Sequence, residues 1–401
     1  MIPFQIEIKQ KKSMYVFIFA LVLMLVGSFI QFKKSLRATD NDFRVYYKTS
    51  QRLQDHSFEE IYTRSDGAFP FRYVPYTLPF LTWMAKMPEP VARKIWVALQ
   101  SICFALGFYY LHKSLMLTET KSPLMIASLS FILTYRQFMD SLWSGQVAGF
   151  IFLSFSLGLF LYLKGKLISD GVANSIASSL KIFPGLLLIH GLIKSDTTKK
   201  RWQYLFSGIL LFLVLNLLCW SWLFFRGEQS VFFQLWNHWI QIIVATGEYF
   251  DGSTPKSQSL RAFLLRTFGK SDNIETLWKG LTLSGVGFLI VHWLRGNSKS
   301  VLHNAYSYSL GILAFIIFMP ESLPYQLMNV AIPFTFFLAD EKLKTSKFHK
   351  FTLVCFLAFI SFASTDFIGR KMSDELQALS FAFFVLCMLS FIMVKETRKK
   401  A

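Results

Sequence analysis

Ala177-Ser178-Ser179-Leu180-Lys181-Ile182-Phe183-Pro184 is the stretch that decides the topology. It puts a cation and a helix-breaking proline inside an otherwise apolar segment, 167–193. Basic loops bound that segment on both sides: Lys164 and Lys166 before it, Lys194, Lys199, Lys200 and Arg201 after it. A single crossing would put one of these clusters outside, against the preference of Lys and Arg for cytoplasmic loops. Pro184 removes the conflict by breaking the segment into two short helices, about 171–183 and 184–193, that enter the bilayer and return.

Composition agrees with a bilayer as solvent. The chain has 401 residues, of which 53% are hydrophobic and only 16% charged, against about 25% charged in soluble domains. The 44 Phe suit side chains that face acyl tails. A formal net charge of +18 would point to nucleic acid in a soluble protein. Here the basic residues cluster between hydrophobic spans, so no nucleic-acid partner is expected; membrane lipids are. Cys103, Cys219, Cys355 and Cys387 all fall in apolar runs, and the seven His form no ligand-spaced pair. No metal and no cofactor are expected.

The remaining spans follow from the same logic. Met14–Phe32 is long enough to cross and reads as a retained first helix with a cytoplasmic N-terminus. The polar stretch 33–90 is then outside, with an interfacial helix near Phe43–Gln54 and a short element over Leu78–Met87 that dips into the membrane. Further spans are predicted at roughly 91–112, 123–139, 147–163, 202–225, 276–294, 301–319, 325–340, 351–366 and 377–394. The expectation is an all-α polytopic membrane protein of about 10 full transmembrane spans plus two half-spans, forming one domain over 1–401. Its two large soluble loops, 33–90 and 226–275, both fall on the outer face, so chemistry is expected there. Both termini are expected in the cytoplasm, and outer-leaflet chemistry favours a bacterial inner membrane.

Several residues are candidates for that chemistry. Asp40 and Asp42 follow the first span directly; each reads either as a solvated loop acid or as a general base at the membrane boundary. Lys181 is a costly cation at membrane depth, reading as a snorkelling side chain or as a partner for a lipid phosphate. Arg136 either pairs with Asp140 one helical turn away or faces an incoming phosphate. In the 226–275 loop, Gln258 has the chemistry to bond sugar hydroxyls, and Arg261 and Arg266 that to bind phosphate oxygens. Trp236 and Trp239 read as interfacial anchors or as sugar platforms. Glu321, in Pro320-Glu321-Ser322-Leu323-Pro324-Tyr325-Gln326, is the alternative base.

These pieces resemble a family. Asp42-Phe43-Arg44-Val45-Tyr46-Tyr47 is similar to the Asp-Phe-x-Val-Tyr-Tyr opening of family-87 glycosyltransferases, which are polyprenyl-phosphate-mannose-dependent mannosyltransferases of the GT-C superfamily. Tyr73-Val74-Pro75 resembles the family's Tyr-x-Pro, Trp96 the Trp that follows, and Gly145-Gln146 its Gly-Gln at the start of a span. Lys181-Ile182-Phe183-Pro184 resembles its Lys-x-x-Pro, and Gln258-Ser259-Leu260 with Arg266 its Asn-Gln-Ser-Leu loop. Two departures stand out. Ser257 replaces the usual Asn, and Ser322-Leu323-Pro324-Tyr325 replaces a Ser-Trp-x-His element, so Tyr325 and Gln326 would have to substitute for the His by hydrogen bonding.

The resemblance implies a GT-C-type helical bundle with its active site at the outer leaflet. By carry-over, Asp42 is the base of an inverting single displacement. Lys181, Arg266, Gln258, Arg136 and Gln146 are candidates for the donor phosphate and sugar, and Asp40, Tyr46, Glu321, Tyr325 and Gln326 for the acceptor or an auxiliary role. The expected partners are a polyprenyl-phosphate sugar donor, with mannose as the expected hexose, and a lipid or glycan acceptor. The rival is a transporter or flippase, which would also use a broken helix and a buried cation.

Overall fold

The computed structural model describes residues 2–34, 42–63, 70–244, 254–296, 300–363 and 368–398, and every regular element among them is helical. Helix α1 (Ile2–Lys34) leads to α2 (Phe43–Gln54). Short 3-10 turns at Phe58–Glu60, Pro75–Leu81 and Met84–Lys86 follow, and in the second Pro75 and Pro79 deny the chain a regular helix. Then come α3 (Glu89–Leu117), α4 (Pro123–Leu133), α5 (Tyr135–Ser144) and α6 (Ala148–Leu163). The broken segment forms α7 (Leu167–Leu180) and α8 (Leu186–Lys194). The second half contains α9 (Thr198–Phe225), α10 (Val231–Val244), α11 (Leu260–Phe268), α12 (Asp272–Arg295) and α13 (Val301–Phe318). It closes with α14 (Ala331–Ala339), α15 (Lys347–Phe356), α16 (Arg370–Ala378) and α17 (Phe381–Arg398).

Among the described residues, five helices are long and apolar enough to cross a membrane: α1 over Gln10–Lys34, α3, α9, α12 and α13. A sixth candidate is the pair Lys371–Ala378 and Phe381–Arg398, bent by 49°. The chain is therefore an all-α polytopic membrane protein. Other predicted spans appear as shorter apolar helices. The 123–139 span, for example, is divided at Thr134 into α4 and α5, its hydroxyl bonding back to Ser130 O at 2.7 Å. Burial sorts the long helices: 72% of the apolar window of α13 is buried but only 6% of that of α12. Helix α13 is the central post, and α1, α9 and α12 show apolar faces outward.

Without water to expel between lipid-facing helices, close packing carries the association. Phe104, Phe108, Phe131, Phe138 and Phe152 interlock across α3, α4, α5 and α6 with ring centroids 4.9–5.6 Å apart, each pair adding about 0.5–1.5 kcal/mol beyond its area. Gly107 on α3 makes this possible, because a Cβ there would come within 2.5 Å of the Phe152 ring.

Helices α7 and α8 form a hairpin, as predicted, with the first helix ending at Leu180 and the second starting at Leu186 rather than meeting at 183/184. The chain is extended at Lys181 (φ −149°, ψ 140°), and Pro184 sits in the turn that follows. The start of α7 and the end of α8 lie at the same level. Gly171 and Gly191 both abut the Tyr204 side chain of α9, and the Tyr162 ring at the end of α6 lies 5.0 Å from His190. The tip of the hairpin therefore points towards the other end of the bundle, where Lys181 meets Asp42 at the start of α2 and Glu321 after α13.

Candidate active site

Helix α2 sets the first wall. Phe43 is fully buried beside Trp96, with the Arg93 guanidinium 5.2 Å from its ring centroid. Tyr46 packs 5.3 Å from Trp96. Trp96 donates its indole N–H to Gly145 O at 2.6 Å, which fixes the turn between α5 and α6. Gly145 adopts φ +71°, and a Cβ there would lie 2.6 Å from that of Phe43, so the turn and the start of α2 fit only with glycine. The residue this turn delivers is Gln146.

Asp42 stands at the N-cap of α2, where an Asp side chain usually accepts from the first helical N–H groups. Here it makes no such bond, although its backbone carbonyl accepts from Val45 N at 3.1 Å. The carboxylate bonds Gln146 instead. Gln146 is oriented from behind: Tyr73 donates to its Oε1 at 2.8 Å, and Tyr46 and Tyr73 hydroxyls are 2.6 Å apart. With the amide oxygen occupied by the Tyr73 hydroxyl, which in turn accepts from Tyr46, its NH2 faces Asp42.

Two cations and a second carboxylate complete the cleft. The charges of Lys181 and Arg72 both act on Asp42 and on Glu321, which follows α13. Burial raises the Asp42 carboxyl above its ordinary 3.8; the Gln146 hydrogen bond, Lys181 and Arg72 pull the other way without cancelling it. Glu321 is likewise raised above 4.5, chiefly by burial, with Arg72 and Lys181 opposing and Asp42 adding. The Lys181 ammonium lies 5.3 Å from the centroid of the Tyr325 ring. Asp42, Arg72, Gln146, Lys181, Glu321 and Tyr325 are all only partly buried, so the cleft is open to a substrate.

The loops are tied so that these groups stay aligned. Trp239 of α10 donates to Arg72 O at 3.2 Å, and the Tyr76 hydroxyl bonds Ser179 in the last turn of α7. Gln258 N donates to Ser322 O at 2.8 Å, and Ser322 N donates to Ser257 Oγ at 3.1 Å, binding the 254–259 loop to the Glu321 loop. Gln326 Oε1 accepts from Leu323 N at 2.8 Å and tightens that same turn. Ser141 of α5 donates to Tyr325 O at 3.0 Å.

The cleft thus gathers Asp42, Tyr46, Gln146, Lys181, Glu321 and Tyr325 from the sequence candidates. The other described candidates have partners elsewhere: Gln326 is used in the Leu323 turn and Arg261 pairs with Glu275. Arg136 pairs with Asp140 at 3.6 Å and donates to Ala363 O. Arg266 donates to Thr254 O and Ser257 O at 2.8 Å and to Ser380 Oγ at 2.5 Å, clamping its own loop. Gln258 donates its amide to Pro255 O and Gln377 O. Asp40 lies outside the described residues. Arg72 and Tyr73 are the site residues that the sequence reading passed over as site chemistry. Their signal was position, immediately before Val74-Pro75, where a backbone turn held by proline presents its neighbours.

A cleft with a carboxylate of raised basicity and two cations whose charges act on it can take a proton from a hydroxyl and hold a phosphate. No group of His, Cys, Asp and Glu suited to a metal ion occurs among the described residues. The family model of glycosyltransferase family 87 matches residues 71–320, and the chain belongs to that family. The match includes Arg72, Tyr73, Gln146 and Lys181, while Asp42 and Glu321 flank it. No curated protein matches the chain.

Proposed function

We propose that this member of glycosyltransferase family 87 moves a hexose, with mannose as the leading candidate, from a polyprenyl-phosphate carrier to a hydroxyl of a lipid or glycan acceptor at the outer leaflet. Asp42 takes the proton from the acceptor hydroxyl as its oxygen attacks the anomeric carbon. The bond from that carbon to the phosphate oxygen breaks on the opposite side, and its electron pair leaves with the polyprenyl phosphate. One displacement of this kind inverts the anomeric centre. Lys181 and Arg72 meet the charge that grows on the leaving phosphate. Glu321 and Tyr325 line the acceptor side.

The observation that carries this reading is the convergence of Asp42 with Lys181 and Arg72 from three distant parts of the chain. The glycosyl-transfer chemistry comes from the family; the donor, the sugar, the base and the face of the membrane are our inference. The test is transfer of label from radiolabelled polyprenyl-phosphate mannose to a membrane lipid extract by purified protein in lipid. Label moving with the wild type and not with Asp42→Asn supports the assignment. Equal transfer by both removes Asp42 as the base, and a folded wild type that transfers nothing rejects this donor.

A further inference from the structure

The end of the bundle away from the cleft carries a second concentration of polar groups. Lys194, the last residue of α8, donates to Trp293 O at 2.8 Å and to Gly296 O, closing the C-terminus of α12. Two of the three ammonium N–H bonds are so used, and the third remains for a ligand. His292 is held by Thr397 Oγ1 at 2.8 Å; that hydroxyl donates to Met393 O, so the imidazole Nε2 is the donor. Lys194, His292 and Thr397, with His303 and Asn304 from the first turn of α13, border a small cavity with room for a single water-sized group.

The charge around this cavity is suited to an anion. Arg398 and Lys194 both act on His292, while His303 feels Lys342 opposed by Asp340. The nearby acids have partners of their own: Glu396 is paired with Lys342, and Asp340 accepts from Tyr306 at 2.8 Å and from Lys342 N at 2.9 Å. No carboxylate pairs with Lys194 or Arg398 among the described residues. The 18-residue helix α13 adds the positive end of its dipole. An apolar surface adjoins the polar one, since Phe288, Val291 and Leu294 of α12 are exposed and the Arg398 guanidinium lies 5.5 Å from the Phe288 ring centroid.

We propose that this end of the bundle binds the phosphate of an anionic membrane phospholipid. One phosphate oxygen enters the cavity against Lys194 and the first turn of α13, Arg398 meets the rest of the headgroup, and the acyl chains lie along the Phe288–Leu294 face. A membrane-spanning helix ends at the cavity on either side, α12 before it and α13 after it, which puts it at headgroup level and favours a lipid over a phosphate from solution.

The test is native mass spectrometry of the purified full chain with dioleoylphosphatidylglycerol or dioleoylphosphatidylcholine, alongside Tm measured with each lipid and with inorganic phosphate. We expect the wild type to retain the anionic lipid roughly fivefold more than the zwitterionic one, a discrimination of the size one lysine at a membrane surface provides. Lys194→Met and Arg398→Gln should each remove most of that preference. Because Lys194 also caps α12, Arg398→Gln decides the matter alone if the lysine variant fails to fold. Equal retention of the two lipids by the wild type, or an undiminished preference in Arg398→Gln, overturns the proposal. A Tm rise with inorganic phosphate as large as that with phosphatidylglycerol overturns the lipid assignment.

Discussion

The amide of Gln146 is held between Tyr73, which donates to its oxygen at 2.8 Å, and Asp42, which takes a hydrogen bond from its nitrogen. That bond favours the ionised carboxylate and partly offsets the burial that raises its pKa. A base works when deprotonated, so under the proposed mechanism activity should be lost as pH falls through the Asp42 pKa, which lies above 3.8. In Gln146→Leu the carboxyl loses its donor and its pKa rises further. The acid limb of the kcat/KM profile should then move to higher pH, with little change in KM for the donor. A limb at the wild-type position, measured over the same pH range, would show that Gln146 does not act through Asp42.

Asp42→Asn keeps the shape of the side chain and removes the proton acceptor. We expect kcat to fall by about 10²–10⁴-fold, the usual contribution of a general base. Glu321→Gln provides the comparison. If Glu321 lost as much as Asp42, or Asp42→Asn lost little, the two carboxylates would have to exchange roles.

Lys181→Met and Arg72→Met test the phosphate side. Each should lower kcat by about 10²–10³-fold, the scale of removing one group that meets developing charge. Arg72→Lys should restore only part of the loss, because a point charge lacks the fork that matches two phosphate oxygens. Single-turnover rates separate this from a defect in product release.

Gly145→Ala acts on the same site through the backbone. A non-glycine residue at φ +71° costs about 1–2 kcal/mol, and the new methyl would displace Phe43. Lower thermal stability and lower activity should appear together. An alanine variant with wild-type Tm and rate would mean that the turn relaxes without moving Gln146 or Asp42.

Much of this architecture could be read from local pattern. The helical spacing over Phe43–Gln54 gave α2 with the boundaries observed, and Pro184 with its flanking lysines gave the hairpin. These features are written in adjacent residues. The cleft is different, because residues 42, 72, 146, 181 and 321 meet only once the long helices have packed. Arg72 is the clearest case: its place before Val74-Pro75 marks a turn, but its role depends on Trp239, which fixes its backbone where its charge acts on Lys181. Arg266 and Gln258 illustrate the converse. Polar side chains in a loop fit a ligand on paper, yet the loop's own carbonyls are the nearer acceptors.

The hairpin of α7 and α8 has a consequence for how the chain is threaded during synthesis. It begins and ends at one end of the bundle, so in the topology we propose it adds nothing to the alternation that sets the direction of every later helix. Excising it would leave α9 and all that follows with the same orientation, whereas losing any true crossing would invert them. The lysine most central to the cleft is therefore carried on a part that could be lengthened, shortened or exchanged while the rest of the scaffold keeps its sidedness.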